Sequence, residues 1–513
     1  MKQLIHSTTS TATTTTAADA HLIVGLGECA LVVPKSSQKQ PTVFRLEPPD
    51  AAQQQQQQQQ PPPVGDEPAV NPLEIQAVAV AVDATDKTQL WCAVARYDKS
   101  LTLYQVPVVL VATSGATAGA TSGVPGQSLP PVSIQPTLVH KTTKRTSCLT
   151  FTSVQGTLQV IIAGDLAGDA VAYSLTAGAA ADTSTPTITT TTDDTMANTN
   201  NKSDNKSDNE NDNENEQDAD NAVQEEERNR YQRLLLGHTA SMLTSVHVVT
   251  DAGACRILTA DRDEKIRVSQ FPDTTVIEHF LLGHEAFVCS TDVASKDGVT
   301  VCAAVSGDGT IRLWDYCAAK ELASAPIPAH EGKKYLPSRV VLHPDGKQAV
   351  VIYDEGCLID IFDQADVDTT TTTAAAPGTL CHSSRTVCSS QPLGLVMLDA
   401  ETVVIVCKDQ EYLQAFCIQK DSSLQAVDVA ACNELNFAAV AAAATENSSI
   451  VMPATIMEKD KFGNLKMQKL AETRSSSEDK PWNNVKRKDT ARERTKRAKR
   501  RKREEFEELK SKD

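Results

Sequence analysis

His238, His284 and His330 stand 46 residues apart, and each opens a segment of the same design. Gly237-His238, Gly283-His284 and Ala329-His330 are followed by alternating apolar runs, an acidic turn and a closing strand pattern. The middle copy reads GHEAFVCSTDVA, then VTVCAAVSGDGTIRLWDY; the copy before it reads GHTASMLTSVHVV, then CRILTADRDEKIRVSQF. The third runs AHEGKKYLPSRVVLHPDGKQAVVIYDEGCLIDIFD. Weaker copies are LWCAVARYDKSLTLYQV and VIIAGDLAGDAVAYSL upstream and VVIVCKDQEYLQAFCIQ downstream. A period in the forties made of short strands restricts the chain to stacked β-units, because one such unit cannot bury its apolar face alone. With aromatics at only 4% of residues, the core must come from Val, Ile, Leu and Ala, which suits thin, many-stranded sheets.

Four segments interrupt the repeat and are too poor in apolar residues to offset the entropy of ordering. They are about 48–72 (Gln/Pro), 112–136 (Gly/Ala/Ser/Thr/Pro), 177–230 (Thr, then Asn/Asp/Glu) and 366–379 (Thr/Ala). The expected organisation is a disordered N-terminus over 1–20, a folded β-domain over 21–455 carrying those disordered inserts, and a charged, basic tail over 456–513.

Several functions are excluded at this level. No apolar run reaches the ~18 residues of a membrane span, and Met1 to Ala20 lacks the apolar core of a secretory leader. The 13 cysteines are scattered from Cys29 to Cys432 without a C-x-x-C pair, giving neither a zinc site nor a disulfide framework. No metal ligands and no catalytic residues are expected, and a reducing compartment follows. The strand LIVGLGECALVV offers Gly25-x-Gly27, but it lacks a third glycine and ends at Pro34 rather than opening a helix. A hairpin turn is the expectation there; an enzyme using that turn is the remote alternative.

The period, the G-H openings and the W-D close resemble the WD40 repeat family over roughly residues 73 to 420. The resemblance implies an all-β, seven-bladed WD40 β-propeller. Six units are recognisable. The seventh blade is expected to combine strands near Leu424 to Val451 with the N-terminal strand His21 to Val33, closing the ring from both chain ends. In such repeats a His, a Ser or Thr, a turn Asp and a Trp form a buried hydrogen-bonded set. His284, Asp308 and Trp314 match it, with Ala304 at the Ser/Thr position; His238, Thr259 and Asp263 match it, with Ser269 for the tryptophan. His330 has Gly356 where the aspartate belongs. A trio that recurs in register with the repeat reads as structural rather than as a nucleophilic triad.

One stretch is more specific. LLLGHTASMLTSV, then RILTADRDEKIRVSQFPDTTVIEHFLLGHEAFV, resembles the WD-repeat non-catalytic subunit of the tRNA (guanine-N7-)-methyltransferase. The elements that carry it are ILTADRDEKIRVS, Ser241 to Thr244, and the link through Ile277, Phe280 and Leu282; Lys144-Arg145 and the Gly168-Asp169 turn also fit. The resemblance implies a scaffold that docks on, and stabilises, a separate catalytic subunit forming N7-methylguanosine in the tRNA variable loop. The chain itself would need no cofactor, S-adenosylmethionine being expected on the partner. The docking residues it implies are Asp261, Arg262, Glu264, Lys265 and Arg267. Within that set Arg267 aligns with Arg312 of the ordinary IRLWD and, like Asp263, also reads as structural, whereas Glu264 and Lys265 face Gly309 and Thr310. A general WD-repeat adaptor of another nuclear complex, in ribosome assembly or ubiquitin ligation, is the alternative.

Charge is uneven. Asp193 to Glu227 carries a net −11 and Lys486 to Arg503 a net +10 within a chain of net −17. Lys486, Arg487, Lys488, Arg497, Lys499, Arg500, Arg501, Lys502 and Arg503 suit a nuclear-import signal or a salt-sensitive grip on RNA phosphates. A solvated charged helix is the plain reading. The expectation is a nuclear protein that meets tRNA indirectly or through this tail, with no membrane contact.

Overall fold

The computed structural model describes residues 5–7, 21–26, 28–34, 43–49, 71–83, 86–107, 132–154, 158–175, 232–239, 242–251, 253–294, 298–364, 378–408 and 413–427. Every regular element among these described residues is a β-strand. The expected inserts (apart from their margins), the acidic stretch 193–227, the expected 456–513 tail and the basic residues Lys486 to Arg503 lie outside them.

The strands come in antiparallel meanders, each a short stretch of Val, Ile, Leu and Ala between turns. The N-terminal sheet holds β1 (Ile5–Ser7), β2 (His21–Leu26), β3 (Cys29–Pro34) and β4 (Phe44–Leu46). The next holds β5 (Ile75–Val82), β6 (Gln89–Arg96) and β7 (Ser100–Pro107). After β7 in sequence, β8 (Val132–Ile134) returns to β4 and β9 (Leu138–Lys141) completes the β5 sheet. Two four-stranded sheets follow: β10 (Thr146–Val154), β11 (Leu158–Asp165), β12 (Asp169–Ser174) and β13 (Gln232–Gly237), then β14 (Leu243–Asp251), β15 (Ala254–Asp261), β16 (Ile266–Gln270) and β17 (Ile277–Leu281). An eight-stranded sheet consists of two ladders. One is β18 (Val288–Ala294), β19 (Val301–Ser306), β20 (Thr310–Asp315) and β21 (Lys320–Pro326). The other is β22 (Pro337–Leu342), β23 (Gln348–Tyr353), β24 (Leu358–Gln364) and β25 (Gly378–Val387). Among the described residues the strand pairing between the two ladders is short and parallel, Ala323 with Gly378 and Ser324 with Thr379. The closing sheet is β26 (Pro392–Met397), β27 (Thr402–Cys407), β28 (Leu413–Ile418) and β29 (Leu424–Val427).

The first strand of each unit lies against the first strand of the next. The circuit runs β5, β10, β14, β18, β22, β26, then β1 and back to β5. This is the arrangement of a β-propeller. Apolar side chains fill the gaps between neighbouring sheets: Leu258, Ile266 and Val268 meet Cys302, Ala304 and Trp314, and Cys148 and Ile162 meet Leu243 and Ile257. Each Leu, Ile or Val among them, moved fully from water, contributes about 1.5–3 kcal/mol. Small residues let the inner strands approach closely; a Cβ on Gly164 would stand 2.6 Å from the Cys148 sulfur.

Three expectations need correction. Among the described residues, 21–33 share no blade with Leu424–Val427: β2 and β3 form a hairpin within the N-terminal sheet, whereas Leu424–Val427 pairs with β28, and the rest of the expected C-terminal strand, 428–451, lies outside the described residues. The ring closes by packing instead, with Ile5, Leu22 and Val24 sharing one core with Leu393, Val396 and Val404. The expected disordered N-terminus contains β1, paired in register with β2 from Ile5↔Val24 to Ser7↔Leu22. The end of the expected 112–136 insert forms β8, which adds to β4 as a parallel strand. A short strand can be satisfied by edge pairing even where composition alone would leave it unfolded.

Candidate docking site

Five units share one turn geometry between their second and third strands. The third residue after the strand end is left-handed each time: Lys99 (φ 67°), Gly168 (φ 101°), Glu264 (φ 75°), Gly309 (φ 78°) and Gly356 (φ 84°). A residue with a Cβ costs roughly 1–2 kcal/mol in that conformation, so glycine is the natural occupant. Lys99 and Glu264 are the exceptions.

The turns are pinned in two ways. In one, the aspartate is the second turn residue: Asp98 Oδ1 accepts from Ser100 N–H at 2.9 Å and its hydroxyl at 2.6 Å. Asp308 Oδ1 does the same for Thr310, at 2.8 and 2.7 Å. In the other, the aspartate is the last strand residue. Asp165 Oδ1 accepts from Ala167, Gly168 and Asp169 N–H at 2.7, 3.0 and 3.0 Å.

The turn between β15 and β16 belongs to the second kind. Asp261 is buried; its Oδ1 accepts from Asp263 N–H at 2.8 Å and its Oδ2 lies 2.7 Å from His238 Nδ1. His238 Nε2 lies 2.8 Å from the Thr259 hydroxyl. With the carboxylate as acceptor, Nδ1 carries the hydrogen and Nε2 is left to accept from Thr259, so both ring nitrogens are satisfied. The sequence expectation therefore needs exchanging at two positions. Asp261, expected on the docking surface, is the buried pin. Asp263, expected as the pin, is exposed, because Lys265 replaces the Ser or Thr that such an aspartate would hold.

Arg267 also moves from the docking set to the frame. Its Nε donates to Ser269 Oγ at 2.8 Å, Nη2 to Thr274 O at 2.8 Å and Nη1 to Gly237 O at 3.4 Å. These three hydrogen bonds to its own and the adjoining sheet use three of its five N–H donors and account for Arg267 structurally. Asp263 and Lys265 are exposed, and Arg262 and Glu264 half-buried. Among the described residues Arg262 and Lys265 make no ion pair. The turn thus presents mixed charge from a rigid base.

The other structural residues sort as follows. His284 Nδ1 is 3.1 Å from Asp308 Oδ2, and its ring meets Trp314 edge-on at 5.1 Å. Burial alone would raise the Asp308 carboxyl, but the hydrogen bond and charge of His284, with the Thr310 hydroxyl, hold it well below the usual carboxylate range. Among the described residues His284 Nε2 has no hydrogen-bond partner, because Ala304 stands where Thr259 stands one sheet earlier. His330 does not act as a pin: its recorded hydrogen bonds are the main-chain pair with Lys333. Its ladder uses a set that sequence reading missed. Arg385 grips the buried Asp360 at 2.7 and 2.6 Å and donates to Pro328 O at 2.9 Å, while Tyr353 donates to the same carboxylate. An aspartate in the middle of the apolar run CLIDIFD was the available signal.

Away from the turn, Lys144 is exposed, and Arg145 lies 4.5 Å over the Tyr97 ring. That contact accounts for Arg145 structurally. Gly25 sits mid-strand in the β2–β3 hairpin, opposite Ala30, with its Cα against the Ile75 side chain. It has the setting of a sheet glycine. No group of three or more His, Cys, Asp or Glu side chains among the described residues could hold a metal.

Comparison with known proteins gives a consistent result. The family described as tRNA methyltransferase TRM82 WD40 domain matches residues 133–476, well over half of the chain. A protein of Aedes aegypti named tRNA (guanine-N(7)-)-methyltransferase non-catalytic subunit wuho is 38% identical over 141 residues, 27% of this chain and 33% of that protein. The Culex quinquefasciatus protein of the same name is 38% identical over 128 residues, 25% and 30% of the two chains. The Drosophila melanogaster one is 37% identical over 97 residues, 19% and 22%. The matched segments thus span about a third of these relatives or less. A chain in a structure titled Crystal Structure of Mitotic Checkpoint Complex superposes with a TM-score of 0.45 at 10% identity, over 80% of this chain and 85% of that one.

Proposed function

This chain belongs to the tRNA methyltransferase TRM82 WD40 family, and from that we propose that it is the non-catalytic subunit of a tRNA (guanine-N7-)-methyltransferase. It docks on a separate catalytic subunit and holds that subunit in its productive shape. The observation that carries the reading is the turn Arg262 to Lys265, whose charges stand outward while Asp261, His238 and Thr259 hold it from beneath. A rigid hairpin that presents charge favours register and orientation over bulk adhesion. The names of the insect relatives support the same partner.

We read the ring as seven-bladed; counting the two ladders of the eight-stranded sheet separately supports that reading. S-adenosylmethionine and the methyl transfer to N7 of guanosine in the tRNA variable loop belong to the partner. The basic run Lys486 to Arg503 directs the heterodimer to the nucleus and adds a salt-sensitive hold on tRNA.

The test is co-purification of the full chain with the catalytic subunit, with N7-methylguanosine in tRNA as the activity readout. Lys265→Glu is expected to weaken the complex about tenfold or more while the melting temperature of the chain alone stays unchanged. Methyl transfer by the isolated chain would overturn the non-catalytic reading. Wild-type chain that fails to bind the catalytic subunit would return it to the class of general WD-repeat adaptors.

A further inference from the structure

The outermost strand of the sheet that carries the charged turn is unusual in what it exposes. Ile277, Phe280 and Leu282 are 42%, 43% and 63% exposed, and Val276 just before them 41%. Register puts the row on one face: Ile277 pairs with Ser269 and Phe280 with Arg267, while Leu281, paired with Ile266, turns the other way into the core. Leu282 alternates with Leu281 and so falls on the Phe280 side. The same pairing brings Phe280 and Leu282 to the end of the sheet where β16 begins, directly after Lys265.

A blade does not need these side chains. In the neighbouring ladder the positions opposite Arg312 and Thr310 are Ser324 and Pro326. The outer edge of β17 also has no strand partner among the described residues. Large exposed apolar groups on a free edge strand are a liability that folded proteins otherwise suppress. Here they lie beside Arg262 and Lys265, two cations that make no ion pair among the described residues.

We infer that Ile277, Phe280 and Leu282 form the apolar anchor of the docking surface, and that its occupant is a segment of the catalytic subunit. That segment would set an apolar side chain on Phe280 and Leu282 and a carboxylate against Lys265 or Arg262. The inference rests on the proposed function and deepens it. Aromatic and aliphatic groups at the centre of an interface supply most of its binding energy, and charges at the rim supply orientation. The turn alone offers only rim; the strand next to it offers the centre.

The experiment uses the full chain and the catalytic methyltransferase subunit of the same organism. Amide hydrogen exchange on the wild-type complex is expected to show new protection over 276–282; none there would overturn the inference, whatever any variant does. The combined Phe280→Ser and Leu282→Ser variant is expected to keep the wild-type melting temperature and to bind at least about tenfold more weakly. Wild-type binding that is weakened by Lys265→Glu but not by the double serine variant would sink the apolar anchor and leave the proposed function standing. Failure of the wild-type chain to bind at all would sink that function first. Self-association of the wild-type chain, abolished by the serine pair, would assign the strand to a second copy of this chain and also overturn the inference.

Discussion

At the scale of the residue, the turn between β15 and β16 turns on which of two aspartates is buried. Asp261 accepts hydrogen bonds from both the turn and His238, whereas Asp263 offers only its main-chain N–H to the network. Asp261→Ala leaves His238 Nδ1 and the turn amide without their acceptor, and is expected to lower stability by about 1–3 kcal/mol. Asp263→Ala removes a solvated carboxylate and is expected to stay within about 0.5 kcal/mol. Urea unfolding of the two variants separates them, and equal losses would contradict the assignment. The sequence did not reveal this, because aligning IRVSQ with IRLWD places Asp263 on Asp308. What the alignment hides is the role of the neighbour. Thr310 gives Asp308 a hydroxyl to hold, Lys265 gives Asp263 none, and the pin passes to the strand end. The pairing of His238 with Thr259 and of His284 with Asp308 was legible, since each depends only on offsets within one repeat.

At the scale of the element, the recurring turn sets what each unit can tolerate. Gly309 is left-handed, with nothing within 4 Å of an added Cβ; Gly356 is left-handed too, but its Cβ would meet Tyr335 at 2.7 Å. Gly309→Ala is expected to cost about 1 kcal/mol from backbone strain alone. Gly356→Ala carries that strain plus a steric clash, and should cost at least about 1 kcal/mol more. Thermal unfolding of the two variants would show the order, and its reversal would mean that the Tyr335 ring yields freely. The repeat strands β6–β7, β11–β12, β14–β16, β18–β20, β22–β24 and β27–β28 were readable from the sequence because apolar alternation and turn residues recur together. Three-residue strands such as β1, β4 and β8 were not, since their register comes from neighbours distant in the chain. The Arg385 set escaped for a related reason. Its members Tyr353, Asp360 and Arg385 sit on three strands and match no repeat position.

At the scale of the whole molecule, the circuit of inner strands is completed by side chains. Among the described residues no strand pairing joins the N-terminal sheet to the closing one; Ile5 on β1 presses against Gly394 on β26 instead. A Cβ on Gly394 would stand 2.9 Å from Ile5 Cγ2. Gly394→Val is expected to destabilise the chain by about 1–3 kcal/mol through overpacking. Adding Ile5→Ala should recover part of that loss, so that the two changes combine to less than their sum. Strict additivity in a melting experiment would place the weak point elsewhere. That Leu424–Val427 pairs with β28 rather than with 21–33 was not legible, because interleaving and face-to-face contact leave the same apolar pattern in a sequence.

That seam gives the ring a clasp. Among the described residues every sheet is spun from neighbouring chain, save for the small return of β8, so no strand pairing crosses that seam. The charged turn between β15 and β16 belongs to the unit three places from the seam in either direction. Strain at the join therefore reaches that turn only through three intervening units, whichever way round the circle it travels.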